Sequence, residues 1–339
     1  MRISVGMGEQ MGEKNRYILG IDQGGTKTAA AVMRSDGVLV GKGKARGAYF
    51  PTQGMDAAME PVREAALAAL KEAAVDEREI ALTVAGVTGL DYQGDDAAVE
   101  QAVRKLFPTG EVIACNDAVI AFYSGATRSH GAVICAGTGM NGALIDRKGR
   151  RFIYGDYMDE NVQGGSALAL RAVRKVFDAQ LGLCGETALT ELFLAHAAVE
   201  DVDALLRRYM MEDGFRGKLR YLVPEIMRIA EEGDEAACAL LDDFAAQIVA
   251  YLDAGFRKMG MLPDEEEIVL TGNVFKGEAL RRRVQEQIAA RFPGAEVVSA
   301  RYEPEVGACI MGLIHRSMDV TKVEEVMRES AAALGLLRC

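Results

Sequence analysis

The sequence predicts an α/β protein of two domains, built on a strand–loop–strand unit that occurs twice. Three observations carry this. The chain has 339 residues, more than one hydrophobic core usually serves. Short apolar runs of strand length alternate with longer helical patterns. Two glycine–threonine loops, at Gly25-Thr26 and Gly137-Thr138, open the two halves in matching settings. At one constant offset Ala31 meets Ala143, Val32 meets Leu144, Met33 meets Ile145 and Gly37 meets Gly149, with no gap. The shared order of strand, loop, strand and turn points to duplication.

The elements follow in order. YILGI at Tyr17–Ile21 is a short apolar run of a buried strand. TAAAVM at Thr28–Met33 and VLVGKG at Val38–Gly43 give two more, joined by the turn signal RSDG, in which Gly37 supplies a positive φ. An Ala-rich helix is predicted within Asp56–Ala74, a strand at Ile80–Val84, and a helix near Asp95–Leu106 that Pro108 stops. Another strand covers Glu111–Ala114, and a helix begins after Asn116-Asp117. The second half opens with AVICAGTGMNGALIDRKGRRFIYG, read as strand, loop, strand, turn, strand. A helix at Ser166–Phe177 follows, then a helical block over about 186–259 with no strand signal. Strands resume at Glu267–Leu270, with a loop at Gly272-Asn273 before a helix from Glu278. AEVVSA is a late strand and PEVGACIMGLIHR a late helix.

Composition narrows the function. A net charge of −11 argues against a nucleic-acid surface. No run is long and apolar enough to span a bilayer, so no membrane partner is expected. Residues 1–16 read as a loosely ordered leader rather than a secretory signal, and the chain as cytoplasmic. Six cysteines stand at 115, 135, 184, 238, 309 and 339 with no CxxC pair, which suits buried reduced thiols.

The stretch GIDQGGTKTAAAV asks what needs so bare a backbone between two strands. Gly24, Gly25 and Thr26 leave backbone N–H groups open, as a closely approaching phosphate requires. Gly137-Thr138-Gly139 offers a second such loop. Two amide cradles facing one cleft suit a triphosphate, although each loop taken alone is also a plain tight turn. Asp22 beside the first loop could hold Mg²⁺ through water, since Mg²⁺ takes few carboxylates. Lys27 leads into a strand, and there is neither GxxxxGK[ST] nor a strand–GxGxxG–helix fingerprint. Asn116-Asp117 ends a strand and opens a helix, at the carboxyl end of a sheet where α/β folds put ligands. Asp117 suits a general base there, or a helix N-cap.

GIDQGGTKTAAAV, VICAGTGMNGAL and IVLTGNVF resemble the first phosphate, second phosphate and adenosine motifs of the superfamily of actin-like ATPases, sugar kinases and heat-shock chaperones. Their spacing, with CNDAVIAFYSGA, most resembles the BadF/BadG/BcrA/BcrD ATPase family, which includes N-acetylglucosamine kinases. The resemblance covers nearly the whole chain from about residue 17. It implies two ribonuclease H-like domains around a nucleotide-binding cleft: 17–126, then 127–318 with the helical block, with 319–339 packing back on the first. MgATP is implied as cofactor. Gly24, Gly25, Thr26 and Lys27 would serve the phosphates, Thr138 and Gly139 would serve from the second loop, and Gly272 and Asn273 would lie against adenosine. Asp22 would stand near Mg²⁺ and Asp117 would be the base, with Asn116, Phe50, Gln163 and Gly137 on the acceptor side.

Two positions depart from the kinases of this group. Phe50 in GAYFPTQG stands where they show Asn. NVQGGS replaces their GDEGS, so Gln163 stands for an Asp and Gly164 for a Glu, unless Asp156, Asp159 or Glu160 compensates. A Gln bonds a hydroxyl but supplies no charged acceptor. The expected reaction is therefore phosphoryl transfer to a sugar or amino-sugar hydroxyl, with N-acetylglucosamine itself a poor acceptor. Two other classes stay open. An ATP-driven activator of a radical dehydratase would need cluster-ligating cysteines in Gly-rich loops, and only Cys184 in LGLCGE fits. A regulator that has lost catalysis would not need both Asp22 and Asp117. Oligomeric state stays open, a homodimer among the options.

Overall fold

The run YILGI extends by two residues into strand β1 (Tyr17–Gln23), and the chain then turns back on itself through a glycine loop. The structure is a computed structural model describing residues 17–92, 94–108, 110–158 and 164–338. The expected leader, together with Gln163, Asp159 and Glu160, lies outside the described residues. After β1 come β2 (Lys27–Arg34), β3 (Leu39–Arg46), α1 (Phe50–Gln53), α2 (Met55–Ala73), β4 (Ile80–Val87), α3 (Asp95–Leu106), β5 (Glu111–Asn116) and α4 (Asp117–Tyr123). The second half has β6 (Gly131–Ala136), β7 (Met140–Ile145), β8 (Arg151–Ile153) and α5 (Gly164–Gln180). The helical block consists of α6 (Leu189–Ala197), α7 (Val202–Met211), α8 (Phe215–Lys218), α9 (Val223–Glu231) and α10 (Glu235–Met259). Then follow β9 (Glu267–Thr271), α11 (Glu278–Arg291), β10 (Glu296–Ser299), α12 (Pro304–His315) and α13 (Glu324–Leu334). None of the helices of the described residues is long and apolar enough to cross a membrane.

The chain divides into two compact units, one formed by residues up to Ile120 together with those from Tyr302 onward, the other by Ala121–Arg301. Each holds a five-stranded sheet, and the two sheets have the same topology. The first runs β3-β2-β1-β4-β5, and the second runs β8-β7-β6-β9-β10. In each, three strands meander antiparallel and two join parallel to the first strand. The duplication expected from the two glycine–threonine loops is therefore a duplication of the whole sheet.

In the first unit the Ala-rich helix α2 lies on β3. Gly41 and Gly43 share one face of that strand, and a Cβ on them would come 2.5 Å from Ala69 O and 2.0 Å from Ala65 O. Bare backbone on the strand thus admits the helix, which buries Ala58, Val62, Ala65, Ala66 and Ala69. The other face of β1 takes α12. A Cβ on Gly20 would stand 2.2 Å from Glu305 O, and one on Gly312 would meet Ile18 Cγ2 at 2.8 Å. The late helix expected in the 127–318 segment therefore belongs to the first unit, because its small residues pack on β1. The unit boundaries fall within α4 and before Tyr302 rather than at 126 and 318. Helix α13 rests on β3, where Leu39 N donates to Ser330 Oγ at 3.0 Å. In the second unit Leu241, Phe244, Ile248, Leu252 and Phe256 of α10 are buried in one core with α5, α9 and β6 residues. Of the cysteines, Cys115 and Cys309 are buried, Cys135, Cys184 and Cys238 half-buried, and all five are free thiols.

Candidate active site

The hairpin loop between β1 and β2 is closed by backbone bonds. Gly24 N donates to Lys27 O at 2.9 Å, Gly47 N to Thr26 O and Ala48 N to Gly24 O, both at 3.1 Å. Neither Gly24 nor Gly25 has a positive φ. A Cβ on Gly25 would meet nothing within 4 Å. Neither turn geometry nor packing therefore requires Gly25, and the bare backbone leaves room for something outside the chain. Gly47 is the opposite case, since its Cβ would sit 2.4 Å from Gly25 O, so it is needed to hold the loop. Gly25, Thr26 and Lys27 are exposed, and Lys27 Nζ pairs with Glu303 at 3.5 Å on the rim.

Asp22 and Asn116-Asp117 come to the same end of the first sheet. Strands β1, β4 and β5 are parallel, and their register sets Gln23 beside Val87 and Val87 beside Asn116. Two strand spacings, about 10 Å, separate the outer two. The Asn116 side chain is buried and fully engaged. Its Nδ2 donates to Asp91 Oδ1 at 2.8 Å and to Leu90 O at 3.3 Å, while its Oδ1 accepts from Ala118 N at 2.9 Å. Asn116 thus caps α4 through Ala118 N–H. The half-buried Asp117 accepts hydrogen bonds from the Thr88 side chain and Ala118 N–H. Its pKa is nevertheless pushed up to about 6, first by burial and then by the Asp91 carboxylate. Asp22 is 7% exposed, and burial, then the carboxylates of Glu305 and Asp117, raise it to about 8. Phe50 begins the short helix α1 and packs in part against the first unit's core, while its neighbours Tyr49 and Pro51 lie against Gly89.

Three glycine segments meet in the second unit. Gly137 N donates to Gly139 O at 2.9 Å, closing the β6–β7 loop. Gly165 N and Ser166 N, in the first turn of α5, donate to Gly137 O and Thr138 O at 2.8 and 2.9 Å. Gly164 has φ +86°, and its Cβ would lie 2.4 Å from the Gly139 backbone. Position 164 therefore needs glycine. Gly272, at φ +105°, would place a Cβ 2.2 Å from Ala136 O, so the β9 end lies against the β6 end. Asn273, next to it, is exposed, and Val274 Cγ2 lies 3.4 Å from where a Gly165 Cβ would be. Gly137, the counterpart of Gly25, likewise has open space where a Cβ would stand. Asp156 is exposed on a short 3₁₀ turn, Gly155–Tyr157.

Sequence reasoning missed Asp91, Thr88 and Glu305. The first two follow β4 in the loop TGLD, whose only sequence signal is its place after a strand. Glu305 is a lone acid in the apolar run PEVGACIMGLIH. It is 1% exposed, and burial raises its pKa. Among the described residues no group of three or more His, Cys, Asp or Glu side chains forms a metal cage. Buried Asp22, with Glu305 near it, still fits Mg²⁺, which keeps several waters and takes one or two carboxylates beside substrate phosphates.

The chain is 26% identical to an N-acetyl-D-glucosamine kinase of Dictyostelium discoideum over 318 residues, which is 87% of this chain and 97% of the relative. It is 26% identical to the glucosamine kinase GspK of Vibrio cholerae over 260 residues, covering 76% of this chain and 85% of that protein. Its fold is similar to that of a ROK family glucokinase from Streptomyces griseus solved with glucose and AMPPNP, with a TM-score of 0.56 and 19% identity over 89% of this chain and 99% of that one. The family model of the BadF/BadG/BcrA/BcrD ATPases matches residues 19–312. With its duplicated sheets and two glycine loops, the chain belongs to the BadF/BadG/BcrA/BcrD ATPase family.

Proposed function

We propose that the chain is an ATP-dependent kinase that transfers the γ-phosphoryl group of MgATP to a hydroxyl of a sugar or amino sugar. The observation that carries this is Asp117: a half-buried carboxylate at the carboxyl end of β5, raised to about 6, in the same unit as the open Gly24–Thr26 loop. A base needs a pKa near working pH, and Asp117 has one. In the reaction Asp117 orients the acceptor hydroxyl and takes its proton as that oxygen bonds the γ-phosphorus and ADP leaves. The Gly24–Thr26 loop, with open space at Gly25, suits a phosphate, as does the Gly137–Gly139 loop, with open space at Gly137, and Gly272-Asn273 suits a nucleoside. Mg²⁺, when bound, would neutralise phosphate charge, with Asp22 as its carboxylate. The two curated relatives are named for amino-sugar substrates, which supports a sugar acceptor here.

Burial argues against two of the cysteines as cluster ligands of a radical-enzyme activator, and Cys135, Cys184 and Cys238 are half-buried. Cys309 is fully buried, its thiol pushed up by desolvation, and Cys115 is buried as well. Buried apolar thiols are poor cluster ligands. The test is ADP release with MgATP and a panel of hexoses, amino sugars and N-acetylated sugars. Turnover of at least one panel member is expected, with N-acetylglucosamine slower than another member because Phe50 offers no amide. No turnover of any panel member would overturn the reading.

A further inference from the structure

One buried acid of the first unit has no part in the transfer described above. Glu305 stands in the first turn of α12, 1% exposed, and its Oε2 has no hydrogen-bond partner. A carboxylate oxygen left unmatched in the interior is costly unless something else answers its charge.

Packing fixes where this acid sits. Helix α12 runs back along β1, with Gly312 against Ile18 and the Glu305 backbone against Gly20. Ile18, Gly20 and Asp22 alternate onto one face of the strand. Continuing that line by two residues brings the beginning of α12 to Asp22. The two side chains feel each other accordingly: Glu305 is the strongest charge acting on Asp22, ahead of Asp117. Three cations act on the pair: Lys27 and Arg338 are engaged by the neighbouring Glu303, at 3.5 Å and 3.2 Å, and Lys44 is exposed at the surface.

We infer that Glu305 is a second carboxylate of the divalent-cation position at Asp22, its free Oε2 accepting a hydrogen bond from a cation-bound water. The inference rests on the reading of Asp22 as the cation's carboxylate. It follows from the chemistry of the pair. Mg²⁺ holds most of its waters, and those waters need acceptors. Acceptors just outside the ligand shell typically change metal affinity by about 10- to 100-fold. An interior acid with one free oxygen, beside a second interior acid, supplies such an acceptor. A divalent ion between them also offsets two like charges that otherwise repel.

Mn²⁺ is the probe, with free ion counted by electron paramagnetic resonance during titration of the protein in saturating ADP. Wild type, D22N, E305Q and E305L are compared, and melting curves without metal establish that each variant is folded. Asp22→Asn and Glu305→Gln are each expected to weaken Mn²⁺ binding by about 10- to 100-fold. Glu305→Leu removes the charge without leaving a polar group unpaired, so it stands in should E305Q not fold, and the same loss is expected. If D22N weakens binding and the folded Glu305 variants bind Mn²⁺ like wild type, the role of Glu305 is overturned while that of Asp22 stands. A D22N protein that binds Mn²⁺ like wild type overturns the Asp22 reading, and this inference with it.

Discussion

Gly25 separates a structural glycine from a ligand-facing one. A Cβ there meets nothing within 4 Å, and the residue has no left-handed φ. Alanine at such a site costs the folded state nothing and restricts the unfolded chain, so Gly25→Ala is expected to leave stability unchanged or raise it by about 0.4–1 kcal/mol. In a chain of this size that moves Tm by no more than about a few degrees. Binding is another matter. A backbone N–H reaches a phosphate oxygen at about 2.9 Å, and a methyl or isopropyl group in that space holds the phosphate off. Loss of one hydrogen bond to a charged group costs about 1.5–3 kcal/mol, a factor of about 10–150 in Kd. The bulkier Gly25→Val is expected at the upper end or beyond. Gly47→Ala is the control in the opposite sense: its Cβ would stand 2.4 Å from Gly25 O, so it is expected to destabilise the fold by about 1–3 kcal/mol. Calorimetric titration with MgADP, paired with thermal melts, reads both quantities. Well-folded G25A and G25V proteins that bind MgADP as wild type does would refute the argument that the loop is bare for a phosphate.

Four further outcomes are expected. Asp117→Asn should keep nucleotide affinity and Tm, because the Asn116 side chain caps α4, while kcat falls by about a hundredfold or more; near-normal transfer to the acceptor would show that Asp117 is not the base. Since Asp117 must be ionised to accept a proton and its pKa is about 6, kcat/KM should fall as pH drops through about 6. Asp91→Asn removes a like charge, favours the ionised form, and so should move that acid limb to lower pH; an unmoved limb would assign it to another group. Gly20→Ala puts a methyl 2.2 Å from Glu305 O and should lower stability by about 1–3 kcal/mol through displacement of α12, which chemical denaturation would measure; an unchanged midpoint would mean that α12 shifts without cost.

The sequence by itself determined the elements and the repeat. Period and punctuation are local properties, so YILGI, TAAAVM and the Ala-rich segment announce strands and a helix whatever surrounds them. The matched Gly-Thr loops announced a duplication that the two sheets carry through all five strands. The family, too, was legible, because its motifs are short and contiguous and the family model matches residues 19–312. Tertiary structure decided which glycines answer to the chain and which to a ligand. Gly24, Gly25, Gly47 and Gly164 look alike on paper, but only the backbone placed against Gly47 and Gly164 shows that those two are required by packing. It decided that α12 belongs with the first sheet, since that depends on Gly20 facing Glu305 O across a large sequence separation. It also decided who caps α4, who raises Asp117 and where Glu305 is buried. A side chain's partners and its desolvation are set by what folds over it from elsewhere in the chain, and no local pattern of residues carries that information.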